Sequence, residues 1–202
     1  MHGLSDYLRR FKHPGGIIVC EEKQFIYMKA PRTGGTSILR HVLEPSLNGI
    51  IHHKDHPAEF ERWMRRLTDE QLDRHYIFSF TRNPWDRLVS VAHHFNISFD
   101  KLIKDFDRHQ AQLKIQLHSL PIHLYTHFSG VPFVDFIGRF EHLQDDFDHV
   151  CERVGISQVK LPHASSTRHA HYSTYYDPDA KAIVASRYAK DIETFGYRFE
   201  KE

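Results

Sequence analysis

The stretch that most constrains this chain is residues 25–37, FIYMKAPRTGGTS. Phe25, Ile26, Tyr27 and Met28 are an apolar run of the length of a buried strand. Ala30 and Pro31 end that run. Thr33, Gly34, Gly35, Thr36 and Ser37 then give a turn with two glycines and three hydroxyls. Beyond it, Ile38, Leu39, Val42 and Leu43 recur at helical spacing, so a helix is expected from about Thr36 to Leu43, stopped by Pro45. The order is strand, glycine loop, helix. A helix start presents backbone N–H groups and partial positive charge, which suits an anion. Glycines let the backbone approach a phosphate closely, and Arg32 adds a fixed fork of donors.

Residues 76–90, YIFSFTRNPWDRLVS, repeat the arrangement without the glycines. Tyr76, Ile77, Phe78 and Phe80 predict a strand. Asn83 is a good N-cap and Pro84 a good first helical residue. Trp85, Leu88, Val89 and Ala92 share one face of the helix that follows, which reaches about Phe95. Arg82 stands at the junction, and Ser90 lies about two turns into the helix.

The first loop is not GxxxxGK[ST]: its glycines are adjacent, its cation precedes them, and Thr36 stands where a lysine is required. PRTGGTS resembles instead the 5'-phosphosulfate loop, PKTGGTS, of the sulfotransferases that use 3'-phosphoadenosine-5'-phosphosulfate (PAPS). Arg32 replaces the usual lysine. RNPWDRLVS resembles the same family's 3'-phosphate motif, RxPxxRxxS, in the family's order and separation. VDFIGRFEHLQDDFDHV resembles its (F/I)GRFExLxxDF segment, and DIETFGYRF its closing segment. The resemblance spans roughly residues 22–199 and is sharpest at the two phosphate motifs.

The alternation of strands and helices argues for an α/β protein, a parallel sheet with helices on both faces, whose ligands bind at the carboxyl ends of strands. The resemblance implies a P-loop-like three-layer α/β/α fold with a central, mainly parallel sheet. Length is consistent with one domain, residues 1–202, of which 1–15 form an N-terminal extension with a short helical piece. Residues 17–19 read as a short strand. A helix is expected over 59–67, with Phe60, Trp63, Met64 and Leu67 on its apolar side. Thr68 with Gln71 is a capping-box pattern. Ser98 caps a helix that buries Phe99, Leu102, Ile103 and Phe106. Residues 108–130 show no clear period. Residues 134–140 read as a third strand and 141–154 as an amphipathic helix. Residues 161–176 read as a polar loop. A last helix begins at Asp177 and carries Ile183, Val184 and Tyr188.

The activity implied is transfer of a sulfuryl group from PAPS to an acceptor hydroxyl, first of a carbohydrate, with a lipid or another small metabolite open. By the resemblance, Arg32 binds the phosphosulfate. The loop Thr33, Gly34, Gly35, Thr36 and Ser37 cradles it, and Arg82 and Ser90 hold the 3'-phosphate. Arg168 is a further candidate nucleotide contact. Relatives take a general base from the segment between the motifs; His56 fits that place best, with His53 and His52 as alternates. The donor is already activated, so no metal is required. Arg87 is expected to pair with Asp86 or a neighbouring element. Phe80 and Trp85 are expected in the core, and Tyr172, Tyr175 and Tyr176 line an acceptor pocket or cover the sheet. Two rival readings are a nucleotide kinase or NTPase, and a relative that binds nucleotide without catalysis.

Lys and Arg total 27 against 26 Asp and Glu, which excludes nucleic-acid binding driven by bulk charge. The 18 histidines are scattered and fit neither HExxH nor a Cys/His finger. Cys20 and Cys151 make no disulfide framework, which fits a reduced, cytosolic chain. No stretch approaches membrane-spanning length. Relatives that act in the Golgi carry an anchor, so the expectation is a bacterial cytosolic enzyme or a chain trimmed of its anchor.

Overall fold

The computed structural model of the protein describes residues 3–9, 16–47, 51–52, 68–106, 113–162 and 170–200. Its strands are β1 (Ile17–Cys20), β2 (Phe25–Met28), β3 (Ile51–His52), β4 (Tyr76–Thr81), β5 (His127–Phe128), β6 (Val131–Pro132) and β7 (Phe136–Arg139). The main sheet has the order β3-β1-β2-β4-β7, and β5 and β6 form a separate hairpin. β2 pairs parallel with β4, and β4 with β7. β1 pairs antiparallel with β2 and with β3, so it is the reversed strand in a mostly parallel α/β sheet. The reversal follows from the short turn at residues 21–24, which can only fold the chain back beside itself.

Alternation along these strands loads both faces of the sheet. Cys20, Phe25, Tyr27, Phe78 and Phe80 point to one face and pack with Ile38, Val42, Phe147 and Cys151 of two helical segments. Tyr27 stacks on Phe78 with ring centroids 4.7 Å apart. Gly138 on β7 is glycine because the Phe80 ring fills the space a Cβ would take. Ile17, Val19, Ile26, Met28 and Ile77 point to the other face and meet Leu4, Leu8 and Leu72. The helix Leu4–Arg9 is therefore docked on the sheet, and Asp69 fixes its start by accepting from the Gly3 and Ser5 amides. A third apolar cluster joins Trp85, Leu88, Tyr125, Val184 and Tyr188.

The helical expectations hold at their caps. Thr68 and Gln71 form the reciprocal capping box, Asn83 accepts from the Trp85 amide, and Ser98 accepts from the Lys101 amide. Three boundaries differ. The helix after the glycine loop starts at Gly35, passes through a wide π turn over Leu39–Leu43, and ends at Ser46. Its end falls one residue past Pro45, which lacks the N–H that would bond back into the preceding turn. The C-terminal helix is two, Pro178–Arg187 and Ala189–Phe195; of the three apolar residues named on it, Val184 and Tyr188 are buried and Ile183 is exposed. Within 108–130, which shows no clear period, the described residues form the short helix Leu113–His118, a 3-10 turn and the first strand of the β5–β6 hairpin, whose second strand ends at Pro132. The helix expected over 59–67 lies outside the described residues. No helix among the described residues is long and apolar enough to cross a membrane.

Candidate functional site

β2 and β4 are adjacent and parallel, so the loops leaving their carboxyl ends are neighbours. The first turns sharply: Arg32 has φ 65 and Gly34 φ 83, both left-handed. At Gly34 a side chain would also collide with Leu143, and at Gly35 it would meet Lys29 and the Tyr27 hydroxyl. Both glycines are thus required by geometry. The Thr33 hydroxyl donates to the Ala30 carbonyl oxygen at 2.9 Å and closes the turn from inside, so Thr33 is buried and does not line the cavity above.

The turn aims the Arg32 guanidinium at the second motif. Nε and Nη2 donate to Ser90 Oγ at 3.0 and 2.9 Å. Arg82 reaches back from the end of β4: Nη1 donates to the Arg32 carbonyl oxygen at 3.1 Å, and Nε to Asp86 at 2.7 Å. Its guanidinium lies 3.9 Å from the centre of the Phe140 ring. Two cations therefore converge. Burial, and then the neighbouring charge of Arg82, pull the Arg32 pKa down to about 10. Each positive charge raises the electrostatic cost of the other, and an anion between them relieves both.

Arg32, Gly34, Gly35, Thr36, Ser37 and Arg82 line one cavity of about 930 Å³. Its far wall comes from the end of β7 and the helix Leu143–Val154, with Lys160 and Leu161 beyond. Glu141 joins the walls by accepting from the Asn83 amide at 2.7 Å and from the Tyr197 hydroxyl at 3.1 Å. Asn83 in turn donates to the Arg198 carbonyl.

A family model described as Sulfotransferase family matches residues 15–198. The chain belongs to the sulfotransferase family. It is also 30% identical over 105 residues to an uncharacterised protein of Archaeoglobus fulgidus, an alignment covering 48% of this chain and 82% of that protein. No solved structure is significantly similar to it. Both loops at the carboxyl ends of β2 and β4, and the cavity wall built from GRFE, fall inside the sulfotransferase match.

Other residues singled out from the sequence take different places. Ser90 is buried beneath the cavity and reaches it through Arg32. Arg87 is buried and donates to the carbonyls of His118 and Leu120, a neighbouring element, while Asp86 is held by Arg82. Phe80 and Trp85 are core residues. The segment Tyr172–Tyr175 and Tyr176 cover the helix Pro84–His94, with Tyr176 donating to the Trp85 carbonyl, and none of these tyrosines lines the cavity. His53, His56 and Arg168 lie outside the described residues, and of His52 only the backbone, in β3, is described. Conversely, His94 and His118 line the cavity, although neither is a site candidate on sequence grounds. The signal was there for His94: it stands four residues after Ser90, hence on the same helical face.

Proposed function

We propose that this protein transfers the sulfuryl group of PAPS to an acceptor hydroxyl, first of a carbohydrate. In this reading residues 1–202 are one P-loop-like three-layer α/β/α domain, with 1–15 as an extension, working in the cytosol on a small-molecule or glycan acceptor. The observation that carries it is the meeting of Arg32 and Arg82, from two different motifs, on one cavity with space for a nucleotide.

Each residue has a task. Arg32 and the loop from Gly34 to Ser37 hold the phosphosulfate, Arg32 neutralising charge on the phosphate that leaves. Thr33 closes that loop. Arg82 holds the 3'-phosphate, and Ser90 orients Arg32 and joins Arg82 once the donor is bound. Arg168 is a further contact to the nucleotide. A histidine receives the acceptor's proton; by the family resemblance the candidates are His56, with His53 and His52 as alternates, from the segment between the motifs, and the geometry of the cavity adds a further one, considered below. Binding by guanidinium and backbone groups explains how the donor is placed with no metal assigned to the site.

Incubation with 35S-labelled PAPS and a panel of sugars, lipids and small hydroxylated metabolites tests the reading. Label should move to at least one acceptor, and Arg32→Ala and Arg82→Ala should each reduce transfer by about 100-fold or more. Equal transfer by both variants would overturn the assignment.

A further inference from the structure

His94 is the last residue of the helix Pro84–His94, one turn beyond Ser90, whose hydroxyl holds Arg32. It lines the same cavity as Arg32 and the glycine loop. His118 faces it from the end of the helix Leu113–His118, with ring centroids 5.6 Å apart. The His118 Nδ1 donates to the Lys114 carbonyl at 2.7 Å, which fixes that tautomer and leaves Nε2 as the basic nitrogen of the neutral ring. Arg87 holds the carbonyls of His118 and Leu120, so the buried guanidinium anchors the segment on which His118 rides. The catalytic helix thus supplies the phosphate ligand and an imidazole from one stripe, and a second imidazole is braced opposite.

We propose that His94, positioned by His118, is the general base of the transfer. This rests on the sulfuryl-transfer reading above. The acceptor oxygen attacks sulfur, the bond from sulfur to the 5'-phosphate oxygen breaks, and that phosphate departs with the electron pair. The acceptor's proton passes to a ring nitrogen of His94. No oxidation or reduction occurs. The His118 ring, packed against His94, holds it in place.

The electrostatics agree with the geometry. Partial burial, then Arg32 and then His118, keep the His94 pKa below the ordinary histidine value, so the ring is neutral near pH 7. An anion on Arg32 removes part of that repulsion. Donor binding therefore raises the basicity of His94 when a proton must be taken.

The test uses the full chain and 3'-phosphoadenosine 5'-phosphate (PAP), followed by NMR of the histidine ring protons, with the His94 signal assigned by its loss in His94→Gln. The signal should titrate below pH 6.5 in the free protein and move upward with saturating PAP. In parallel, release of 35S-sulfate from labelled PAPS, with water as acceptor, should fall about 100-fold or more in His94→Gln. Calorimetric affinity for PAP should change less than about twofold, a criterion set by the proposed role in proton transfer. His118→Gln should shift the acid limb of the pH profile while retaining part of the turnover. His93→Gln, whose ring bonds the Tyr175 hydroxyl, is the control. A His94 signal indifferent to bound PAP, or unchanged turnover and pH profile in His94→Gln, would overturn the proposal and return the role to His52, His53 or His56. Failure of the wild-type protein to bind PAP would instead strike the donor reading itself.

Discussion

Arg32 and Ser90, 58 residues apart in sequence, are joined by two hydrogen bonds from one guanidinium to one hydroxyl. The contact ties the glycine loop to the second turn of the neighbouring helix. Without Ser90 the left-handed Arg32 backbone would still aim the side chain inward, but its charge would lose a fixed seat. Ser90→Ala should weaken PAP binding by about 1–2 kcal/mol, roughly 5- to 30-fold. Calorimetry checks this, and an unchanged affinity would show that the serine has no part in donor binding.

Arg82 and Arg87 look alike in the sequence and should behave oppositely. Arg82→Ala removes a cavity cation and should weaken PAP binding by about 2–5 kcal/mol, with some loss of stability because Asp86 loses its ion-pair partner. Arg87→Met removes the buried partner of two carbonyls and should lower stability by about 2–4 kcal/mol while PAP affinity changes far less. Urea denaturation and calorimetry on both variants separate the two roles.

Asp191 is almost wholly buried and accepts from the Ile122 amide, the His123 amide and His123 Nδ1. Asp191→Ala strands these donors inside the protein and should lower unfolding free energy by about 2–4 kcal/mol. Chemical denaturation measures it. A variant as stable as the wild type would mean that the segment 120–123 finds other partners.

A pH dependence follows from Arg32. Its pKa is depressed to about 10 in the free protein, and a bound anion raises it again. PAP affinity should hold steady through neutral pH and fall as pH rises through about 10, where the free guanidinium begins to lose its proton. The fall should be shallower in Arg32→Ala. Calorimetry at pH 8 and 10.5, with circular dichroism to verify folding, makes the comparison.

Both strand–turn–helix units could be read from residue order, because caps, glycines and apolar spacing are local signals. The N-cap of Asn83, the capping box of Thr68 and Gln71 and the buried stripe of Phe147, Val150 and Cys151 were all visible that way. What the order of residues could not carry was long-range. GRFE reads as architecture, yet its glutamate locks Asn83 and its phenylalanine lies under Arg82. Thr33 reads as a phosphate contact, yet its hydroxyl is consumed by Ala30. His94 shares a stripe with Ser90, but only the fold of 113–120, which has no legible period, brings His118 to meet it.

The most direct measurement is the thermal stability of the protein with PAP in EDTA, set beside ATP with magnesium. The account predicts that PAP raises the melting temperature without metal, that ATP with magnesium does so far less, and that Arg82→Ala abolishes the PAP shift. A protein stabilised by ATP and magnesium but indifferent to PAP would contradict it.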